Sequence, residues 1–363
     1  MTRETLYALW LLTAGGLGRP STYRLICRMT AEDAFLANPT ELKTILPYAE
    51  AAPFGRKDLT QALRIQEICE EKSIQAVSYH EPDYPAQLRE IYQPPVVLFY
   101  RGKLPQNDMP SLGIVGTRRC SQSAARMTAE FSCKLAQTGF QIISGMAEGI
   151  DTYAHKGSLF RHFASFAVLG CGVDVIYPKQ NRILYDLLCQ EGGVLSEFLP
   201  GTQPAPEQFP MRNRIISGLS DGVLVMECPV QSGSMITART ALEQDRTVFA
   251  IPNSPADRKN TGTNFLIKQG AILCTEPADI LEEYLPRYRD KLTPTALTGP
   301  AIKTRLNNEE TDLMARIPSL QILKAEDLCR LCGRGYDTLL PILRGLEVAG
   351  CIKSFPGALF IKL

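Results

Sequence analysis

The sequence predicts an α/β protein whose centre is a doubly wound, mostly parallel sheet, with a small helical unit before it and a second small unit after it. Three observations carry this. From residue 111 to 273, short apolar runs alternate with helical stretches, the pattern of successive βα units. The first run, Leu112 to Val115, passes through the turn Gly116-Thr117-Arg118 into a helix-forming stretch that opens at Ala124. The two ends of the chain have different patterns, helical over residues 1–75 and three helices plus a hairpin over 307–363.

A strand that leads through a glycine turn into a helix aims free backbone N–H groups and the positive helix end at one point, which suits a phosphate. The same stretch also reads as an ordinary first βα unit. The difference here is a bare arginine, Arg118, on the turn itself.

With 363 residues the chain is long enough for two or three domains, and 45% hydrophobic residues supply their cores. The net charge of +1 excludes a bulk polycation, so any nucleic-acid contact must come from a local basic groove. No leader and no bilayer-length apolar run is evident, and a cytoplasmic protein is expected. Eleven scattered cysteines fit buried, reduced thiols. Cys329 and Cys332 have metal-ligand spacing, but no second pair and no nearby histidine complete a site, so no metal or cofactor is expected. The histidines are only His80, His155 and His162.

In order along the chain, Tyr7 to Leu12 packs one helix, Gly15-Gly16-Leu17-Gly18 breaks it, and Tyr23 to Met29 opens the next. Two helices joined by such a turn resemble a sterile-alpha-motif or helix-hairpin-helix unit; a plain helical packing domain is the slightly preferred reading of the same residues. Strand-like Ala76–Tyr79 and the β-rich run after Pro94-Pro95 bridge to the core. The core strands are expected at Leu112–Val115, Gln141–Ser144, Phe166–Leu169, Val194–Ser196, Gly222–Met226, Thr247–Ala250 and Ala271–Leu273, and the core at 76–285. Residues 286–306 lack periodicity and read as a linker. Residues 307–363 have the three-helices-and-wing pattern of a winged helix.

The strand ends carry the chemistry. Beyond Gly116-Thr117-Arg118 they hold Ser144-Gly145-Met146, the pair Arg212 and Arg214 around Asn213, and Ser232-Gly233-Ser234 at a helix start. Glycine amides, hydroxyls and arginines together make a phosphate groove. Neither G-x-G-x-x-G nor G-x-x-x-x-G-K-[ST] is present, which argues against a dinucleotide site and a P-loop. Several phosphate-like clusters along one edge suit a polymer backbone, with Phe198 or Phe209 available to face a base. Asp151 and His155, four apart on a helix, have no nucleophile beside them; the carboxylate is read as capping a helix start above a packed histidine.

At these residues the chain resembles the DNA-processing protein A family, also called Smf. The matching motifs include Ile114-Val-Gly-Thr-Arg118, Ser144-Gly-Met-Ala147, Gly149-Ile-Asp151, Ala154-His155, Tyr177-Pro178, Ser196-Glu197, Phe209-Pro-Met-Arg-Asn-Arg214 and Ser232-Gly-Ser-Met-Ile-Thr-Ala238. The resemblance covers nearly the whole chain. It implies a Rossmann-like core between a helical domain and a winged-helix domain. It also implies a non-enzymatic protein that binds and protects single-stranded DNA in natural transformation and loads the RecA recombinase. The expected DNA-binding residues are Gly116, Thr117, Arg118, Ser144, Gly145, Met146, Lys179, Arg212, Asn213, Arg214, Ser232, Gly233 and Ser234. Glu148 and Asn253 depart from the family pattern.

The competing reading is a phosphoribohydrolase-like enzyme on the same fold. Such enzymes carry Pro-Gly-Gly-x-Gly-Thr where this chain has Ser232-Gly233-Ser234 with Glu227 before it, which argues against it. The stretch Asn264 to Leu273 reads as a short helix, a stop at Gly270 and a strand near the sheet edge. An apolar edge strand needs a partner or a cover; inward packing of Phe265, Leu266, Ile267 and Leu273 is the alternative. The family implies a homodimer and RecA surface there, through Asn264, Ile267 and Leu273.

Overall fold

A computed structural model describes residues 1–17, 20–160, 163–257, 261–297 and 306–362. Gly18 and His162 lie outside these residues, as does the middle of the expected linker. The chain opens with helices α1 (Arg3–Gly15), α2 (Pro20–Ile26), α3 (Ala31–Leu36), α4 (Pro39–Ile45), α5 (Tyr48–Ala51) and α6 (Thr60–Glu71). Their ends follow from local chemistry. The Thr2 hydroxyl accepts from the Thr5 N–H at 3.1 Å at the start of α1. Asn38 and Glu41 form a reciprocal cap on α4. The Glu4 carboxylate of α1 accepts from the N–H groups of Ala31 and Glu32 at 2.7 and 3.1 Å, placing a negative charge at the start of α3. Leu9, Trp10 and Leu11 are fully buried, and their cluster continues into Val97 and Phe99 of the sheet. This helical unit therefore shares its core with one edge of the sheet.

The sheet begins with β1 (Gln75–Ser78) and, after the short helix α7 (Ala86–Arg89), β2 (Val97–Gly102). There follow β3 (Ser111–Val115), α8 (Gln122–Thr138), β4 (Gln141–Ser144), α9 (Ile150–Leu159), β5 (Ser165–Val168), α10 (Arg182–Glu191) and β6 (Gly193–Ser196). The second half runs α11 (Gln208–Gly218), β7 (Gly222–Val225), α12 (Gly233–Glu243), β8 (Thr247–Ala250), α13 (Gly262–Lys268), β9 (Ile272–Leu273) and α14 (Pro277–Tyr284). The strand order is β1-β2-β6-β5-β4-β3-β7-β8-β9. β6 through β9 are all parallel, and β1 and β2 add antiparallel at one edge. Strands are added outward from β3 in one direction and then, from β7, in the other. That reversal opens a crevice beyond the carboxyl ends of β3 and β7.

Both faces of the sheet are covered. Leu112 and Ile114 of β3 enter the cluster with Leu135 of α8 and Phe249, while Val115 enters the opposite cluster with Val225 and Ala238. Burial on both faces is why these strands read as unbroken apolar runs. Two helices, α11 and α14, are not evident from the sequence. The first turn of α11 carries Pro210, which a helix tolerates there. The expected start of the linker is also displaced. Tyr288 and Leu292 are buried against the core, and the Tyr288 hydroxyl donates to the buried Asp221 carboxylate at 2.8 Å. Residues 286–292 therefore belong to the core, because the ordering contact comes from an aromatic hydroxyl rather than from a helical period.

The last unit holds α15 (Asn308–Arg316), β10 (Ile322–Lys324), α16 (Ala325–Cys332), α17 (Tyr336–Val348), β11 (Ile352–Phe355) and β12 (Leu359–Lys362), with an antiparallel sheet in the order β10-β12-β11. Cys329 and Cys332 pack against its apolar core. Among the described residues no cluster of three or more His, Cys, Asp or Glu side chains could hold a metal, and no helix is long and apolar enough to cross a membrane.

Candidate nucleic-acid interface

A cleft of 640 Å³ occupies the crevice at the carboxyl ends of β3 and β7. Its walls are the turn Gly116–Arg119, the α11 face bearing Phe209, Arg212 and Asn213, and Ser232–Ser234 at the start of α12. The turn is held in place by close backbone packing. Gly149, at φ +76, lies so near it that a Cβ would stand 2.3 Å from the Thr117 carbonyl oxygen. The Glu227 carboxylate accepts from the Ser121 N–H at 3.1 Å and its hydroxyl at 2.9 Å, tying the end of β7 to the cap of α8.

Arg118 is exposed, with its guanidinium 5.1 Å from the centre of the Phe209 ring, and among the described residues it forms no ion pair. The Phe209 ring lies 5.7 Å from that of Tyr177, which is 38% exposed. A free cation and two aromatic faces thus sit side by side at the cleft mouth. Arg212 is different. It is buried, and its guanidinium donates to the Gly145 carbonyl at 2.7 Å, to the Val168 carbonyl and to the Asn213 side-chain oxygen at 3.1 Å. Burial lowers its pKa to about 10, so it stays charged at neutral pH beneath the cleft. A Cβ at Gly145 would stand 2.6 Å from this guanidinium, so only glycine leaves it room.

Arg214 does not reach the cleft. Its guanidinium pairs with the buried Glu197 and interacts with Tyr23 of the N-terminal unit. Residues two apart on a helix point in nearly opposite directions, so Arg212 and Arg214, adjacent in the sequence pattern, part company on α11. Ser144 and Met146 are fully buried under the cleft. The Ser144 hydroxyl donates to the Ile114 carbonyl at 2.6 Å, and Met146, at φ +55, has its carbonyl held by the Asn181 amide at 3.0 Å. Lys179 is exposed just after Pro178, outside the cleft wall. Asn213 donates to the Gly233 carbonyl at 3.3 Å, and the Ser232 hydroxyl caps α12 by accepting from Met235. Of the two phenylalanines expected to face a base, Phe198 is instead buried in the core and Phe209 lines the cleft. Arg119 and Tyr177 also line it; the first was marked only by its place beside Arg118, the second by the Tyr-Pro motif.

Asp151 is the one carboxylate among the described lining residues. Burial raises its pKa to about 6 against the pull of Arg212. It accepts from the Ala147 N–H at 3.3 Å, bracing the loop before α9 instead of capping that helix. His155 is fully buried, bonded through Nδ1 to the Ser165 hydroxyl at 2.8 Å, and burial lowers its pKa to about 3. It is neutral and faces β5, so the two residues do not form an acid–base pair. The departure at Glu148 is an exposed side chain that accepts from Gln180.

The other expected surface lies at the sheet edge two strands beyond β7. β9 is its edge strand, with Leu273 50% exposed and Phe265 of α13 44% exposed, while Leu266 is buried and Ile267 half-buried. The Asn264 amide is bonded to the backbone N–H and carbonyl of Asn253 at 3.0 and 2.8 Å.

The model of the DNA recombination-mediator protein A family matches residues 75–285. The chain is 35% identical over 359 residues to the protein Smf of Synechocystis, covering 90% of each. It is also similar to the X-ray structure of DNA processing protein A from Streptococcus pneumoniae, with a TM-score of 0.67, 35% identity, and 77% of this chain and 98% of that one covered. A structure of DNA processing protein A from Helicobacter pylori, described for its single-stranded DNA binding mode, matches with a TM-score of 0.53 and 28% identity over 59% of this chain and 97% of that one. A matched segment that contains the whole crevice, together with a relative alike along nearly its full length, means that this chain belongs to the DNA recombination-mediator protein A family.

Proposed function

We propose that the cleft binds single-stranded DNA and that the protein protects the strand and passes it to a RecA-type recombinase. The observation that carries the binding is the unpaired Arg118 beside Phe209 and Tyr177. It offers a cation for a phosphate and aromatic faces for unpaired bases, the combination that holds single strands with little regard to sequence. The single-stranded DNA bound by the Helicobacter relative supports the same ligand here. The recombinase step rests on the family. We assign the N-terminal helices to a helix-hairpin-helix-like unit, the last unit to a winged helix, and the β9 edge with α13 to a homodimer and recombinase surface. A binding role is favoured over a nucleotide-cleaving one because the turn after β7 lacks the glycine-rich phosphate loop and Glu227 is tied to Ser121.

The test is equilibrium binding of single- and double-stranded oligonucleotides of one sequence at two salt concentrations. Single strands should bind more tightly, with log K falling against log salt by about 0.7 per phosphate contacted. Equal affinity for both forms, or binding insensitive to salt, overturns the proposal. Recombinase filament formation on single strands should begin sooner in the presence of the protein; an unchanged lag rejects the mediator step.

A further inference from the structure

A second cleft, also 640 Å³, lies between the core and the C-terminal unit. One wall is Ser121, Gln122 and Arg126 of the α8 start with Tyr153 and Lys156 of α9; the other is residues 318–321, between α15 and β10. Phe355 and Ile361 of the C-terminal unit join the apolar cluster that holds Cys133, Leu159 and Phe160, and two contacts line the cleft itself. The Lys156 ammonium donates to the Leu320 carbonyl at 2.6 Å, and the Leu320 side chain packs with Ala125 and Ala129. Leu320 itself sits at φ +64, a backbone conformation that such a side chain seldom adopts, so the docking contact is specific in shape.

Three features make this cleft a match for the first. Its described lining carries Arg126 and Lys156 and no carboxylate. A cation again stands beside an aromatic ring, Lys156 at 5.3 Å from the centre of Tyr153, which is half-buried. And one loop serves both clefts: Arg118 and Arg119 line the first, Cys120, Ser121 and Gln122 the second. Adjacent Cα atoms are about 3.8 Å apart. A stacked strand advances about 3.4 Å per nucleotide. A strand leaving one cleft along this loop therefore enters the other within a few nucleotides.

Resting on the single-stranded DNA reading of the first cleft, we infer that the same strand continues over the Arg118–Ser121 loop into the interdomain cleft. There Arg126 and the N–H groups of Gln122 and Ser123, next to the Ser121 N–H already held by Glu227, take its phosphates, and Tyr153 faces a base. The C-terminal unit is the outer wall of a clamp, and the length of DNA held depends on the wall that Leu320 forms.

The experiment uses the full chain and two oligothymidylates, one of about 5 nucleotides that fills the first cleft and one of about 16 that reaches both. Arg126 is exposed, so Arg126→Ala leaves the fold intact. It should weaken binding of the longer strand by roughly three- to tenfold, lower its salt slope by about 0.7, and leave the shorter strand unaffected. Leu320→Asp, which disrupts the cleft's outer wall where it meets Ala125 and Ala129, should show the same selectivity for length. Arg118→Ala should weaken both strands. If Arg118→Ala weakens both while Arg126→Ala and Leu320→Asp leave the longer strand unchanged, or weaken both lengths equally, the clamp is wrong and the first cleft stands. If Arg118→Ala affects neither length, the reading on which the clamp rests fails with it.

Discussion

Replacing Arg118 with alanine separates binding from architecture. The guanidinium is exposed, donates to no carbonyl and pairs with no carboxylate among the described residues, so its removal leaves no buried group without a partner. The only structural loss is its contact with Phe209, worth about 0.5–1 kcal/mol at an exposed site. For a chain of this size that shifts the thermal midpoint by roughly 1–4 °C. A hydrogen bond from a cation to a phosphate contributes about 1.5–3 kcal/mol, and solvent screening at the cleft mouth holds it to the lower end. Affinity for single-stranded DNA should therefore fall about tenfold at low salt, equally for all sequences, and the salt slope should fall by about 0.7. Fluorescence anisotropy over a salt series measures both. Unchanged affinity in a folded variant refutes the phosphate role. A drop in the midpoint of more than about 10 °C would instead mean that Arg118 supports the turn.

Arg212→Ala should behave in the opposite way. It removes a buried charge that satisfies the Gly145 and Val168 carbonyls and offsets Asp151, at a cost of about 3–5 kcal/mol in urea unfolding; a stable variant that has lost only DNA binding would place Arg212 on a phosphate. Asp151 gives a pH dependence. Its carboxyl, raised to about 6 by burial, is neutral below that pH, so a negative charge appears in the cleft as pH rises through it. Between about pH 4 and 6 the folded state binds a proton that the unfolded chain has released, so stability falls with rising pH over that window. Affinity for single strands should likewise fall from pH 5 to pH 7, with His155 neutral throughout, and Asp151→Asn should flatten the curve; a flat wild-type curve contradicts this. Replacing both Ile267 and Leu273 with glutamate should give, by light scattering, a folded monomer that binds DNA more weakly through loss of avidity; a double variant still dimeric removes β9 from the interface.

The sheet was legible because strands buried on both faces, such as Leu112–Val115 of β3 and β7, carry no charged residue, and because several end in a glycine, serine or proline break, as at Gly116, Ser144 and Gly170. The cleft was legible in part. Arg118 declared itself by standing on the first glycine turn, where a side chain faces the crevice whatever the rest of the fold does. Arg212 and Arg214 did not, because the proline at 210 hid α11. Without the helix, the two arginines looked like one cluster, whereas its geometry sends one under the cleft and the other to Glu197 and Tyr23. Phe198 and Phe209 are equivalent as residue types, and only the packing assigns one to the core and the other to the wall. The shift of the linker past Leu292 rests on the bond from Tyr288 to Asp221, a contact between residues 67 apart that no local pattern encodes.

The most direct test of the central claim is photocross-linking with an oligonucleotide that carries 5-iodouracil at every position, followed by identification of the cross-linked peptides. The aromatic rings nearest the free cation should capture the label, so cross-links should map to Tyr177 and Phe209 and should weaken in Arg118→Ala. Cross-links confined to α1–α6 or to the β9 edge, with Tyr177 and Phe209 unlabelled, would contradict the assignment of the strand to this cleft.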